Sequence, residues 1–149
     1  QTTLARIVAK SLNCQYKAPN NPEPCNQCPT CIEISRDESL SVAELDAASQ
    51  NKVEDAHMIT EMARMSPPDT FRVIILDEVH MMTNQAFNAL LKTFEEPPPT
   101  TKFILCTTEK DKIPDTILSR SQIHYLRRTP SQAMMAHLER IAQAEGGDM

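Results

Sequence analysis

Glycine is nearly absent from this chain of 149 residues, and its scarcity excludes one common nucleotide-binding feature. The only two glycines, Gly146 and Gly147, stand near the carboxyl end. A phosphate-cradling loop of the form G-x-x-x-x-G-K-[ST] needs glycines ahead of its lysine. These 149 residues therefore contain no such loop.

Tryptophan is absent, aromatic residues make up 4% of the chain, and the net charge is −5. The core must therefore be filled by Leu, Ile, Val and Met, and eight methionines favour an adaptable interior. The negative charge excludes an extended basic surface for nucleic acid, so any such contact must be local. No transmembrane run or signal peptide is visible, which predicts a cytoplasmic protein, and the length predicts one domain.

The most informative stretch that is present reads FRVIILDEVH, at residues 71–80. Its apolar, mostly β-branched residues predict a strand that is buried on both faces of a parallel sheet. Asp77 and Glu78 follow at the carboxyl end of this strand, where parallel sheets bind their ligands. With a nucleoside triphosphate, Asp77 suits the Mg²⁺ ion and Glu78 suits the attacking water. The alternative is a strand that ends at an acidic helix cap.

Four of the five cysteines fall in one segment with the pattern C-x10-C-x2-C-x2-C. In a cytosolic chain this spacing favours metal ligands over disulfides, and Zn²⁺ prefers four sulfurs in closed structural sites. The intervening residues 17–24 are polar and proline-rich and have no core of their own. We therefore predict a structural zinc site, the alternative being a chance cluster of reduced thiols. Its ligands are Cys14, Cys25, Cys28 and Cys31, whereas Cys106 is predicted to be an ordinary buried thiol.

Helical and strand patterns alternate along the chain, which predicts βαβ units and a parallel sheet. Thr129 is predicted to cap the last helix, with Pro130 at its first position. The predicted helices are 2–12, 53–65, 83–94 and 130–145, and the predicted strands are 42–46, 71–76, 102–107 and 123–126.

Taken in order, these segments resemble the bacterial clamp-loader ATPases of the DNA polymerase III gamma/tau family, in the AAA+ superfamily. The resemblance covers nearly the whole chain, and a DExH helicase would share Asp77, Glu78 and His80 but not the cysteines. It rests on TTLARIVAKSLNC, PCNQCPTC, ELDAAS, VIILDEVHMMTNQAFNALLKTFEEPPP, FILCTTEKDKIPDTILSRSQ and HLERIAQAEG.

The resemblance implies an α/β fold, a parallel-sheet P-loop NTPase (AAA+) core that lacks its first strand and phosphate loop and carries a small zinc-binding insertion. Residues 1–128 would form a partial nucleotide-binding domain with the zinc module 14–31 inserted. Residues 129–149 would begin a helical lid domain.

The resemblance also implies roles for residues of the nucleotide site. Thr2 and Thr3 match the end of the phosphate loop, where a hydroxyl contacts Mg²⁺, and Gln1 stands where the lysine is expected. Asp77 and Glu78 match the Walker B pair. Glutamine carries no charge, so it cannot act as the point-charge phosphate ligand.

Further roles follow at the subunit edge and at helix starts. Thr108 matches sensor 1, which orients the water or the terminal phosphate. Arg120 matches an arginine that enters a neighbouring subunit's ATP site, the alternative being a solvated surface arginine. Ser121 replaces a cysteine of the family's SRC triplet. Four residues at helix starts match positions that face duplex DNA, with plain helix capping as the alternative: Asn51, Lys52, Thr83 and Asn84.

These assignments imply a fragment of a clamp-loader ATPase subunit that couples ATP binding and hydrolysis to loading of the sliding clamp on primed DNA. The implied cofactors are Zn²⁺, with ATP and Mg²⁺ in the full-length protein. The implied partners are other subunits of a hetero-oligomeric ring, the sliding clamp and primed DNA. The alternative is a non-catalytic interaction subunit with a degenerate nucleotide site, which Gln1 favours and the intact Asp77–Glu78 pair disfavours.

Overall fold

The computed structural model describes residues 1–17 and 21–145, and its centre is a sheet of three parallel strands. The strands lie in the order β1–β2–β3, so the predicted α/β fold with a parallel sheet is confirmed. Their bounds are Val42–Asp46, Arg72–Asp77 and Thr101–Leu105. The helices α1 to α6 of the described residues are Thr2–Asn13, Pro29–Arg36, Val53–Arg64, Asn84–Glu95, Asp115–Leu118 and Ser131–Ala144. None of these helices is long and apolar enough to cross a membrane.

Strand β2 is the middle strand, and residues 73–76 are its fully buried part. Because side chains alternate along a strand, Ile74 and Leu76 point to one face of the sheet and Val73 and Ile75 to the other. Both faces are covered by helices, which explains why the strand is a continuous apolar run rather than an alternating one.

Helices α3 and α4 cover the face that holds Ile74 and Leu76. Each contributes an apolar stripe at helical spacing, which includes Ile59 in α3 and Leu90 in α4. A side-chain hydrogen bond of 3.2 Å between the hydroxyls of Thr60 and Thr93 also joins the two helices.

Helix α1 covers the opposite face and fixes the position of β2. Its alanines, Ala5 and Ala9, are small enough to let the helix approach Val73 and Ile75 closely. The buried Asn13 side chain donates to the Phe71 carbonyl at 2.9 Å and accepts from the Phe71 N–H at 2.8 Å. This pair of bonds ties the end of α1 to the start of β2.

The predicted strand 123–126 is wrong, and so is the predicted cap of the last helix. Residues 122–130 adopt no regular secondary structure, because no strand of the described chain lies beside them to accept their backbone hydrogen bonds. Helix α6 begins at Ser131 after Pro130, with no side-chain cap from Thr129. The domain boundary at residue 128 remains a prediction, and Gly146 and Gly147 lie outside the described residues.

Candidate nucleotide and metal sites

The carboxyl end of β2 lies against the amino terminus of α1. Thr2, the first residue of α1, donates a 2.6 Å hydrogen bond from Oγ1 to Oδ2 of Asp77, 75 residues away in sequence. The other carboxylate oxygen, Oδ1, accepts from the Glu78 N–H at 3.0 Å. A carboxylate next to a hydroxyl offers the oxygen ligands that Mg²⁺ prefers. The structure therefore brings together Thr2 and Asp77, to both of which the resemblance assigned roles in the nucleotide site.

Glu78 has a strained backbone conformation directly after β2. Its φ of 47° and ψ of 40° place it in the left-handed region, which costs a non-glycine residue of order 1–3 kcal/mol. A 3₁₀ turn, Val79–Met81, begins immediately afterwards. The Oε2 atom of Glu78 is buried and has no hydrogen-bond partner. The Glu78 side chain as a whole is 43% exposed, so part of it faces solvent at the edge of the sheet.

The end of β3 contributes a second group of polar residues beside Glu78. Gln1 donates from Nε2 to the Thr107 carbonyl at 3.0 Å, so the start of α1 also touches this loop. Thr107 rather than Thr108 makes the contacts in the described residues, and Thr108 is exposed. Thr3 is exposed as well, and the Asp77 contact belongs to Thr2 alone of the two threonines. The roles predicted for Thr3 and Thr108 remain predictions.

Sequence reasoning assigned no role to His80, which lies between the ends of β2 and β3. Its Nδ1 is 3.1 Å from Thr107 Oγ1 and 3.4 Å from Glu78 Oε2, and its Nε2 is 3.2 Å from Glu109 Oε1. The Lys112 amine lies 3.0 Å from Glu109 and holds the pKa of that carboxyl below its usual value. The sequence did contain a signal for this cluster. His80 follows the two carboxylates closely, and Thr107 and Glu109 follow the next strand of the sheet.

Arg120 lies just after α5, where its guanidinium is held by the same chain. Its Nη1 donates to the Thr116 carbonyl at 3.1 Å and lies 3.5 Å from Glu95 Oε1 in α4. The side chain is half exposed, and the contacts described for it do not involve Asp77 or Glu78. This position suits a residue that acts outside its own site, but the role remains a prediction. Glu95 was not anticipated from the sequence.

The amino termini of α3 and α4 lie side by side. Thr83, which caps α4, donates from Oγ1 to the Asn51 carbonyl at 2.9 Å, and Asn51 directly precedes the cap of α3. Thr83 Oγ1 also accepts from the Ala86 N–H, and the Lys52 N–H donates to Asp55 at 3.0 Å. Two adjacent helix ends present several N–H groups to one edge. Capping explains the Thr83 contacts, and a DNA contact at Asn51, Lys52, Thr83 and Asn84 remains a prediction.

The four clustered cysteines converge on one point. The sulfur atoms of Cys14, Cys25, Cys28 and Cys31 all lie within 4.8 Å of one another. A tetrahedral site with metal–sulfur bonds of about 2.3 Å needs sulfur–sulfur distances of roughly 3.8 Å, so the cluster fits a metal such as zinc. Helix α2, which the sequence patterns did not predict, begins inside the cluster, with Cys28 as its cap and Pro29 at its first position.

Backbone N–H groups and burial have opposite effects on two of the four cysteines. The N–H groups of Gln27 and Cys28 donate to Cys25 Sγ at 3.4 and 3.3 Å and lower the pKa of Cys25 to about 6. Burial dominates at Cys31 and raises its pKa to about 12. Residues 18–20 of the proline-rich segment lie outside the described residues. The module is attached to the core where Thr30 donates to Asp69 Oδ1 at 3.1 Å.

Cys106, predicted to be a buried thiol, is buried against α1 in the core. Burial raises its pKa, with a smaller contribution from the Asp77 carboxylate. It is therefore a protonated core residue and takes no part in the cysteine cluster.

Comparison with known proteins identifies the relatives of this chain. Residues 1–130 match the family model described as "DNA polymerase III, delta subunit". The chain belongs to this family of DNA polymerase III subunits. Its curated relatives include gamma and tau subunits. The chain is 46% identical over 146 residues to DNA polymerase III subunit tau of Bacillus subtilis, which is 97% of this chain and 26% of the relative.

Other members of the family give the same result. The chain is 43% identical to DNA polymerase III subunit gamma of Buchnera aphidicola subsp. Baizongia pistaciae, over 97% of this chain and 39% of the relative. A crystal structure of a DNA polymerase III gamma subunit-related protein from Thermotoga maritima superposes with a TM-score of 0.55 and 25% identity, over 88% of this chain and 46% of that one. The chain is thus a homologue of gamma and tau subunits and spans less than half the length of these relatives.

Proposed function

We propose that this chain is part of a clamp-loader ATPase subunit whose nucleotide site is at the carboxyl edge of the sheet. The observation that carries the proposal is the 2.6 Å hydrogen bond between Thr2 and Asp77, next to the unpartnered Oε2 of Glu78. The folded chain thereby has a hydroxyl and two carboxylates close together at one edge of the sheet, and these support the proposal. These are the oxygen groups that phosphoryl transfer from ATP to water requires.

The chemistry divides among these residues as follows. Asp77 and a threonine at the start of α1, Thr2 or Thr3, would hold Mg²⁺, which offsets the charge of the phosphates when it is bound. Glu78 orients the attacking water and accepts its proton while the new O–P bond forms and the bond to the leaving phosphate breaks. Thr108 orients the water or the terminal phosphate. These roles follow from the resemblance to AAA+ proteins. The first strand and the phosphate loop of that fold are not among these 149 residues.

The same proposal assigns partners and a second half-site. Arg120 would act on the ATP of a neighbouring subunit in a hetero-oligomeric ring, as an arginine finger does. The adjacent starts of α3 and α4 would face primed DNA, and the ring would open and load the sliding clamp. Residues 1–128 would belong to the nucleotide-binding domain and residues 129–149 to the start of a helical lid.

Nucleotide binding tests the proposal directly. These 149 residues alone are expected to bind ATP weakly or not at all, because backbone N–H groups of a glycine loop supply most of the phosphate contacts. The same chain, extended at its amino terminus by a strand and a glycine loop and carrying Gln1→Lys, is expected to bind ATP with Mg²⁺. Calorimetric titration of both proteins is the measurement. Absence of binding by the extended chain would contradict the proposal.

A second candidate function is a non-catalytic interaction subunit with a degenerate nucleotide site. The observation that favours it is Gln1, whose amide donates to the Thr107 carbonyl and carries no charge for a phosphate. The intact Asp77–Glu78 pair weighs against it. Binding of ATP without hydrolysis by the extended chain would favour this second function.

Zinc is the metal proposed for the cysteine cluster, in a structural role. Four clustered sulfur ligands leave no open position for water, which is typical of a structural zinc site. Protein purified without chelator is therefore expected to hold about one equivalent of zinc. Cys28→Ser should lose the metal, whereas the matched Cys106→Ala should keep it. Metal analysis with thermal unfolding is the measurement. Less than about half an equivalent in the parent protein would rule out the zinc site.

A further inference from the structure

His80 lies between two carboxylates and is almost completely buried. Its side chain is 8% exposed, with Nδ1 3.4 Å from Glu78 Oε2 and Nε2 3.2 Å from Glu109 Oε1. These are ion-pair distances on both sides of one ring. The hydroxyl of Thr107 also lies 3.1 Å from Nδ1. The protonation state of His80 therefore decides whether its two contacts with carboxylates are attractive or repulsive.

Either neutral form of the ring places a lone pair against a carboxylate. A ring protonated only at Nε2 turns the lone pair of Nδ1 towards Glu78, and a ring protonated only at Nδ1 turns the lone pair of Nε2 towards Glu109. Both arrangements are repulsive. A ring that carries both protons is positively charged and has no lone pair in its plane, so it attracts both carboxylates.

The charges around the ring also balance in this form. Lys112 lies 3.0 Å from Glu109, so two carboxylates and one ammonium group stand at or next to the ring. A neutral ring leaves one negative charge in excess beside the Oε2 atom of Glu78, which is buried and has no hydrogen-bond partner. A positively charged ring brings the sum to zero. Because an unpaired buried charge is costly, the arrangement favours the charged ring.

We propose that His80 is a positively charged positioning residue, whose ring bridges Glu78 and Glu109 and thereby links the end of β2 to the loop after β3. The bridge holds the buried Oε2 of Glu78 on the protein side. The Glu78 side chain as a whole is 43% exposed, so the remainder of it faces the edge of the sheet, where the attacking water would bind. Asp77 stands apart from the bridge, because its oxygens accept from the Thr2 hydroxyl and the Glu78 N–H.

This inference rests on the proposed ATPase function, because it names a residue that orients the base of that site. A neutral His80 could also join the ends of β2 and β3 as a purely structural link. The two roles differ in their dependence on pH. The charged bridge is present at lower pH and is lost as the pH rises and the ring gives up its second proton, whereas a neutral link does not need that proton.

Nitrogen-15 NMR of the histidine rings in the 149-residue chain tests the charge without any ATPase activity. At about pH 7.5, where an ordinary histidine is mostly neutral, one ring is expected to carry both protons. His80→Gln should remove this signal. Glu109→Gln should make the ring lose its second proton at a lower pH, because one carboxylate then no longer stabilises the charge. His57→Gln, at an exposed histidine of α3, is the matched control and should leave the signal unchanged. A neutral His80 ring at this pH in the parent chain would overturn the inference.

Steady-state hydrolysis by the loop-extended chain tests the positioning role. His80→Gln removes the charge, and it is expected to lower kcat about 10- to 100-fold with little change in KM for ATP. In the parent, kcat should fall as the pH rises through the range in which the ring loses its charge. That fall should come at a lower pH in Glu109→Gln and should be absent in His80→Gln. Parent-like kcat in His80→Gln, or a pH profile that Glu109→Gln leaves unchanged, would contradict the inference. If the extended chain does not hydrolyse ATP but the ring carries both protons, the proposed function fails and the charged bridge stands.

Discussion

Glu78→Gln is expected to lower ATP hydrolysis by about 10²- to 10⁴-fold in the loop-extended chain, while ATP affinity stays close to that of the parent. Glutamine keeps the shape of the side chain but cannot accept the proton of the attacking water. The Glu78 carboxylate would be lost as the acceptor of that proton, whereas the hydrogen bond between Asp77 and Thr2 would be unchanged. Single-turnover hydrolysis and calorimetric titration of ATP measure the two quantities separately.

A matched substitution shows whether this loss is specific to the site. Glu139→Gln changes an exposed glutamate of α6, removes the same charge, and should leave hydrolysis near the parent rate. Hydrolysis close to the parent rate in Glu78→Gln would remove Glu78 from the catalytic role. The Asp77–Glu78 pair would then be a structural end of β2, the alternative reading of the sequence.

Arg120→Ala is expected to cut hydrolysis by about 10³-fold in an assembled, loop-extended complex, with nearly unchanged ATP affinity of the mutated subunit. The reason is that a cation supplied by a neighbour offsets charge on the transferred phosphoryl group. In this chain Arg120 lies against Glu95 and the Thr116 carbonyl, and it is half exposed. An exposed ion pair of this kind contributes about 0–1 kcal/mol, so assembly can replace it readily.

Two controls separate this role from a local structural one. Glu95→Gln weakens the ion pair but keeps Arg120, so it should leave hydrolysis within severalfold of the parent. Mixing Arg120→Ala with Glu78→Gln subunits adds a sharper test. A site made of an intact Asp77–Glu78 pair and a neighbour's intact Arg120 should hydrolyse ATP. If activity follows only chains in which both residues are intact, Arg120 acts within its own subunit and the prediction is wrong.

The sequence predicted the strands of the sheet because their patterns are local. The run at residues 73–76 is apolar without interruption, a pattern typical of a strand that is buried on both faces of a sheet. In the structure this strand is the middle strand of the sheet, and these four residues are fully buried. The prediction of a strand at 123–126 was wrong because it depended on a contact that is not local. A short apolar run becomes a strand only if a neighbouring strand accepts its hydrogen bonds, and pairing cannot be read from the run itself.

The cysteine cluster shows the same division at the level of a site. The C-x10-C-x2-C-x2-C spacing predicted that four sulfurs meet, and they lie within 4.8 Å of one another. The spacing did not predict helix α2, which starts at a capping cysteine, or the attachment of the module through Thr30 and Asp69. These features depend on contacts between distant segments.

The sequence alone determined the α/β class, the order of the main helices and strands, the family, and the residue types of both sites. Each of these is written in local spacing or in the likeness of whole segments. Only the tertiary structure decided that Thr2 rather than Thr3 reaches Asp77, that Glu95 holds Arg120, and that His80 lies between Glu78 and Glu109. The physical reason is that these contacts join the ends of different elements, whose separation depends on how the helices pack on the sheet and not on any local pattern.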